Sequence, residues 1–436
     1  MDDRIEFEPD SEITDRGMLH GRDPGTAGPA DDSEEALRAA LAQLRPVDTD
    51  AEYAEICLRI GDQHRSRDQL ELADAAYRRA GEMLAGLPGQ EERHVEALRR
   101  LGELHRDGGC SETAAAAFGA ALDLCLRLRD SGPRQARIHL ALGELHRRRG
   151  RPAAAEHSLI IALRLFRHTR GCARGEAEAL HRLGELLHQL GRRDEAKTRL
   201  YGAAALYRAL PGCESAEAGV RVSIGALLQS IGLIEQAEAS CLAALELSGR
   251  TPCDERGRAA AHLRLGAVYR DDGRFARAET EHFRALELLR RLSGTVAEQS
   301  AVHRSLGVLH RAAGRPQKAV RAYRNALELY RGQRGSERAR AEIHCELGVH
   351  HWRTGFHDAA EDAYCTALRL YREAPGTELE QAGVLELLGD FYEKTGRAGA
   401  ADRANRSALA LYAELPECER RASRIRARLR DRGPLS

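Results

Sequence analysis

Apolar residues recur along this chain at helical intervals, in blocks separated by short polar turns. The stretch from Ser305 to Tyr330 shows the unit. Leu306, Leu309 and His310 fall at i, i+3 and i+4, which marks one face of an α-helix. Gly314-Arg315-Pro316 breaks that pattern, with Pro316 at the first turn of a second helix, where a missing N–H is harmless. Ala319, Tyr323, Ala326, Leu327 and Tyr330 then carry a second helical stripe, and Gly307 and Ala319 are small where the two helices must approach. A helical hairpin cannot bury its apolar face alone, so the unit predicts copies of itself on both sides.

The copies are present. Glycines equivalent to Gly307 stand at Gly61, Gly102, Gly143, Gly184, Gly225, Gly266, Gly348 and Gly389, each 41 residues from the next. Twelve residues after every one is an alanine (Ala73 through Ala401), and nineteen after is another (Ala80 through Ala408). Leu or Ile precedes each glycine, and a turn glycine follows seven residues later from Gly109 to Gly396, with Asp68 in the first unit. This pattern resembles the tetratricopeptide repeat (TPR). The usual TPR period is about 34 residues, so a period of 41 implies a longer second helix or a longer connection. Looser similarity reaches the long-period TPR arrays of bacterial regulators and of the Leu-Gly-Asn scaffold proteins, over about residues 50–418. The expected fold is therefore an all-α TPR solenoid: nine helix-turn-helix repeats over 49–418 in a right-handed superhelix with capping helices at its ends.

Outside the array, residues 1–32 lack periodicity. Residues 1–35 hold twelve Asp/Glu against three Arg, the composition of a disordered acidic tail. It serves either solubility or, as an alternative, occupancy of the protein's own groove. A capping segment is expected over 33–48, helical at 33–45, because Asp32 and Glu35 have capping-box spacing ahead of Leu37, Leu41 and Leu44. At the other end, 419–436 reads as a tenth first helix turned polar and Arg-rich, capping the ninth repeat.

Composition narrows the function. The 67 basic and 67 acidic residues cancel, so no global field favours nucleic acid or a membrane surface. No apolar run approaches a membrane span, and the acidic N-terminus is the opposite of a signal peptide, which points to the cytoplasm. The ten cysteines include no C-x-x-C pair and read as free thiols. Histidines recur three after and four before the marker glycine, which are core registers of the repeat. No H-E-x-x-H, nucleophile elbow or P-loop is found. Neither catalysis nor a cofactor is expected.

The resemblance to TPR arrays implies that first helices line the concave surface, through residues one and four after the marker glycine and three before it. One after, the sequence reads Asp62, Glu103, Glu144, Glu185, then Ala226, Ala267, Val308, Val349, then Asp390. In the first three units an arginine three residues further on (Arg65, Arg106, Arg147) suits an i,i+3 ion pair with that acid. In units six and seven the arginines persist without it. Arg270 and Arg311, with Arg304, Leu263, Ala267, Val308, Val349 and the single tryptophan, Trp352, are therefore the candidate partner-binding residues. No repeat carries the Asn that the carboxylate clamp of chaperone-binding TPRs uses. Two readings follow: a scaffold that holds a peptide or partner-protein segment mixing acidic and apolar residues, or a ligand-sensing regulator that acts on a separate transcription factor or kinase.

Overall fold

The computed structural model describes residues 50–431, apart from 68, 252, 253, 334, 414, 416 and 417. The acidic tail and the helix expected at 33–45 lie outside the described residues. Within them the protein forms nineteen helices and no strand. In order they are α1 (Asp50–Ser66), α2 (Leu70–Ala85), α3 (Glu91–Asp107), α4 (Ser111–Cys125), α5 (Gly132–Arg148), α6 (Pro152–His168) and α7 (Ala173–Gln189). Next come α8 (Arg193–Ala209), α9 (Glu214–Ile231), α10 (Ile234–Arg250), α11 (Glu255–Asp271), α12 (Phe275–Arg290) and α13 (Val296–Ala312). The last are α14 (Pro316–Glu328), α15 (Glu337–Arg353), α16 (His357–Glu373), α17 (Glu378–Lys394), α18 (Ala398–Ala413) and α19 (Glu419–Asp431). The first eighteen form nine hairpins, α1 with α2 through α17 with α18, each packed on the next.

Three sequence rules build the hairpin. Every turn glycine from Gly109 to Gly396 has positive φ, between 64° and 86°, a left-handed conformation that ends the first helix and that L side chains rarely adopt. The alanines twelve and nineteen after the marker are all 0% exposed, in all nine repeats, where the second helix meets its neighbours. The marker glycine receives the residue sixteen positions later: a Cβ on Gly102 would sit 2.6 Å from the Phe118 ring, and one on Gly348 2.6 Å from Tyr364. That distance is far inside carbon–carbon contact, so close approach, not flexibility, requires glycine there. The helix α19 closes the C-terminal end, with Ala422 and Ile425 fully buried in the cluster of the last two repeats.

The array also touches itself. Gly294 lies against Ser66, Gly335 against Gly108 and Gly376 against Arg149, partners separated by 227 or 228 residues each time, about five and a half repeats. Arg338 crosses the same seam to donate to the Arg148 carbonyl at 2.7 Å. The small rotation between repeats thus accumulates until one superhelical turn rests on the next. A cleft of 680 Å³ opens along this seam, lined by Arg149, Arg151, Pro152, Pro375, Leu379 and Leu415 among others.

Candidate functional site

Neighbouring first helices contact one another from α3 to α15, while the second helices stand farther apart, so the first helices form the inner, concave face. In repeats one to four that face is tied together by its own carboxylates. Asp62 accepts from the Tyr77 hydroxyl beneath it (2.7 Å) and from Arg100 of the next first helix (2.7 Å). Glu103 takes Arg65 from the preceding repeat at 3.2 Å, and Arg99 from its own helix. Glu144 holds Arg147 at 2.6 Å and Arg148 at 3.0 Å. Glu185 accepts from Ser223 of the next repeat (2.9 Å) and faces His181 (3.4 Å). Burial alone would raise the Glu185 pKa, but His181, Arg182 and Ser223 outweigh it and hold it at about 2. The hollow of 380 Å³ between α3 and α7 is walled by Arg99, Glu103, Arg106, Glu144 and Arg148, which have ion-pair partners, and by Arg137, Glu178 and Arg182.

In repeats five to eight the acid is gone and its former clients are stranded. Arg264 stands where Arg100 and Arg428 stand, two before the marker glycine. Those two reach Asp62 and Asp390, 38 residues back; 38 before Arg264 the residue is Ala226. The Arg264 stem lies over Gly225, where a Cβ would be 3.7 Å from its Cγ. Its Nε is buried without an acceptor, and no described residue gives it a hydrogen bond or ion pair. Burial, and then the charge of Arg270, pull its pKa below the ordinary arginine value. Sixteen after the marker the same loss recurs. His282, under Ala267, is 0% exposed with neither ring nitrogen bonded, and burial, with Arg270 adding to it, lowers its pKa to about 4. The hydroxyls of Tyr323 and Tyr364, under Val308 and Val349, are buried without an acceptor, where Tyr77 has Asp62.

Two family models described as tetratricopeptide repeat match residues 177–200 and 257–332. The fold agrees with solved structures of such arrays. A Rap protein complexed with competence and sporulation factor is 13% identical, with 84% of this protein and 99% of that one covered at a TM-score of 0.57.

This chain carries tetratricopeptide repeats.

The apo form of RapI is similar over 83% of the TPR protein and 98% of its own length, with 13% identity and a TM-score of 0.50. Aspartyl phosphate phosphatase F from Bacillus subtilis is similar over 86% and 97%, with 10% identity and a TM-score of 0.50. At such identities the likeness is one of fold. No curated protein matches the sequence.

The TPR array places all eight sequence-derived candidates on α11, α13 and α15, along one stretch of the inner face. Leu263, Ala267, Val308, Val349 and Trp352 remain half-buried there. The arginines, however, are not free. Arg270 pairs with the adjacent Asp271 at 2.6 Å, Arg311 with Glu346 of the next first helix at 2.7 Å, and Arg304 with Glu342 at 3.2 Å. Trp352 packs edge-to-face on Phe391 of the next repeat, centroids 6.0 Å apart. In the first repeats too, Arg65 prefers Glu103 and Asp107 of the next helix to Asp62 of its own. Pairing runs between repeats, and the expected i,i+3 pair forms only at Glu144–Arg147. Arg264 is an unpaired arginine that a search within single helices passes over; the 38-residue spacing of Asp62 and Arg100 against Ala226 and Arg264 is the signal that finds it.

Proposed function

We propose that this TPR protein is a non-catalytic scaffold that holds a peptide or partner-protein segment in the concave groove of repeats five to eight. The observation that carries the reading is the change one residue after the marker glycine, from four acids to Ala226, Ala267, Val308 and Val349. It exchanges a face closed by its own ion pairs for one with half-buried apolar side chains and unpaired donors. Leu263, Ala267, Val308, Val349 and Trp352 supply surface that gains from burial. Arg270, Arg304 and Arg311 frame it with charge. A segment with apolar side chains and a carboxylate fits such a face. The Rap protein of the same fold was solved in complex with competence and sporulation factor, which supports the use of this architecture for capture. Pull-down with the full-length protein, followed by mass spectrometry, identifies the segment. Trp352→Ala is then expected to weaken binding by roughly 2 kcal/mol or more, and Arg270→Glu to weaken it with a salt dependence that the tryptophan change lacks. Unchanged affinity in both folded variants contradicts the site.

The seam favours a second reading, a sensor in which capture changes superhelix curvature. Arg338 and Gly376 touch Arg148 and Arg149 only at the present pitch. Small-angle scattering that shows the same dimensions with and without the captured segment rejects this second reading and leaves the scaffold intact.

A further inference from the structure

We propose that Arg264 is a carboxylate receptor, taking one acidic group of the bound segment at the place where Asp62 and Asp390 serve its counterparts Arg100 and Arg428. This rests on the concave-groove reading and assigns the residue that recognises charge within it.

The argument is one of equivalent positions. Five first helices, counting α19, carry an arginine two before the marker position: Arg59 lies in the first repeat and Arg182 pairs with Glu185 of its own helix at 3.6 Å, which leaves Arg100, Arg264 and Arg428 to compare with the inner position 38 residues back. In two of them a carboxylate waits there, Asp62 at 2.7 Å and Asp390 in direct contact. In the third, Ala226 leaves the guanidinium with no partner, although it is half-buried and its Nε is closed off from water. A half-buried guanidinium without an anion is unfavourable, so an incoming carboxylate gains a donor already held in place.

The surrounding charge limits what fits. Asp271 faces Arg264 but is held by Arg270 and by Gln229 (2.6 Å). Glu185 faces it from α7 and is held by Ser223, His181 and Arg182. His188 beside it has its pKa lowered by burial and by Arg264 itself, so it adds no cation at neutral pH. The Cys241 thiol, against Gly225, is pushed up to about 12 by burial and stays neutral. Arg182, Arg264 and Arg270 thus stand against Asp271 and Glu185, one cation in excess. An acidic run would meet repulsion from Asp271 and Glu185, whereas a single carboxylate pairs with Arg264. The partly buried Leu263 and Ala267 next to it favour apolar neighbours on that carboxylate. The segment recognised here is a lone carboxylate in an apolar frame, borne by an Asp or Glu residue or by a peptide's own C-terminus.

The test uses the full-length protein, isothermal titration calorimetry and three peptides: acetyl-Gly-Leu-Asp-Leu-Ser-Leu-amide, its Asp-to-Asn version, and the Asn version with a free C-terminal carboxylate. The expected result is binding of one carboxylate-bearing peptide about tenfold or more tighter than the Asn amide; which one it is tells side-chain acid from terminus. Arg264→Gln and Ala226→Asp should each remove that preference. Ala226→Asp, which supplies the missing internal acid, should also raise the melting temperature of the free protein by about 2 °C. Equal affinity for all three peptides, no binding of any, or an Ala226→Asp variant that melts no higher overturns the proposal. If both variants leave affinity unchanged while Trp352→Ala lowers it, Arg264 falls and the groove stands; if Trp352→Ala is also silent, the groove reading falls with it.

Discussion

Repeats one to four and repeats five to eight are the same object from behind and different objects from within. Behind, the alanines at twelve and nineteen after the marker are fully buried in both halves, and both halves seat a side chain on each marker glycine. Within, the first half connects helix to helix through Asp62, Glu103 and Glu185, with Glu144 paired along its own helix, while the second leaves Arg264, His282, Tyr323 and Tyr364 without hydrogen-bond partners. The difference teaches that a solenoid can separate its stability from its recognition. Packing against adjacent repeats fixes the scaffold, so one position on the inner face can be changed four times in succession without disturbing it.

The largest expected effect tests the shared part. Phe118→Ala in repeat two and Tyr364→Ala in repeat eight each remove a ring seated on a marker glycine and should each cost about 3–5 kcal/mol, read as denaturation midpoints. A strong effect in one repeat and a weak one in the other would break the claim of common packing.

A smaller effect separates the halves by pH. His282 has a folded pKa of about 4 against an ordinary value near 6.5. The folded state therefore binds fewer protons than the unfolded one between these values, and stability falls as pH drops from 6.5 to 4. His282→Leu, which installs the residue type found at the same position in repeats three and four (Leu159 and Leu200), should be progressively more stable than the parent over that window, by about 2–3 kcal/mol at pH 4. In the first half, Glu185 has its pKa depressed to about 2, so its contribution persists above the ordinary carboxylate pKa and is lost only as pH falls from about 4.5 toward 2. Glu185→Gln should leave the profile between pH 6.5 and 5 unaltered. Parallel pH profiles for parent and His282→Leu would contradict the assignment.

The smallest effect has a sign. Tyr77→Phe deletes a hydroxyl bonded to Asp62 and should cost about 1 kcal/mol. Tyr323→Phe deletes a buried hydroxyl with no acceptor and should be neutral or stabilising. Equal losses in the two variants would show that Tyr323 has a partner after all.

The fold was legible in the sequence because its determinants are local and repeat without exception: Gly314 with φ 69°, Ala319 at 0% exposure and Gly307 beneath Tyr323 all follow from a single unit. The inner face was half legible. The switch from acid to Ala or Val, and the stretch of α11, α13 and α15 it affects, are visible in the register. Which arginine it strands is not, because the ion pairs join residues 35, 38 or 42 positions apart, on helices whose relative offset only packing sets. Arg311 looked unpaired since Val308 precedes it, yet Glu346 on the next helix meets it. The seam was farther still from view, since it sums a small rotation over five and a half repeats.

The central claim is that recognition belongs to the half whose inner acids are missing. Hydrogen exchange of the full-length protein, with and without a saturating concentration of the carboxylate peptide that binds best, tests it most directly. The account predicts slowed exchange in α9, α11, α13 and α15, with α1, α3 and α5 unchanged. Protection confined to α1, α3 and α5 would contradict it.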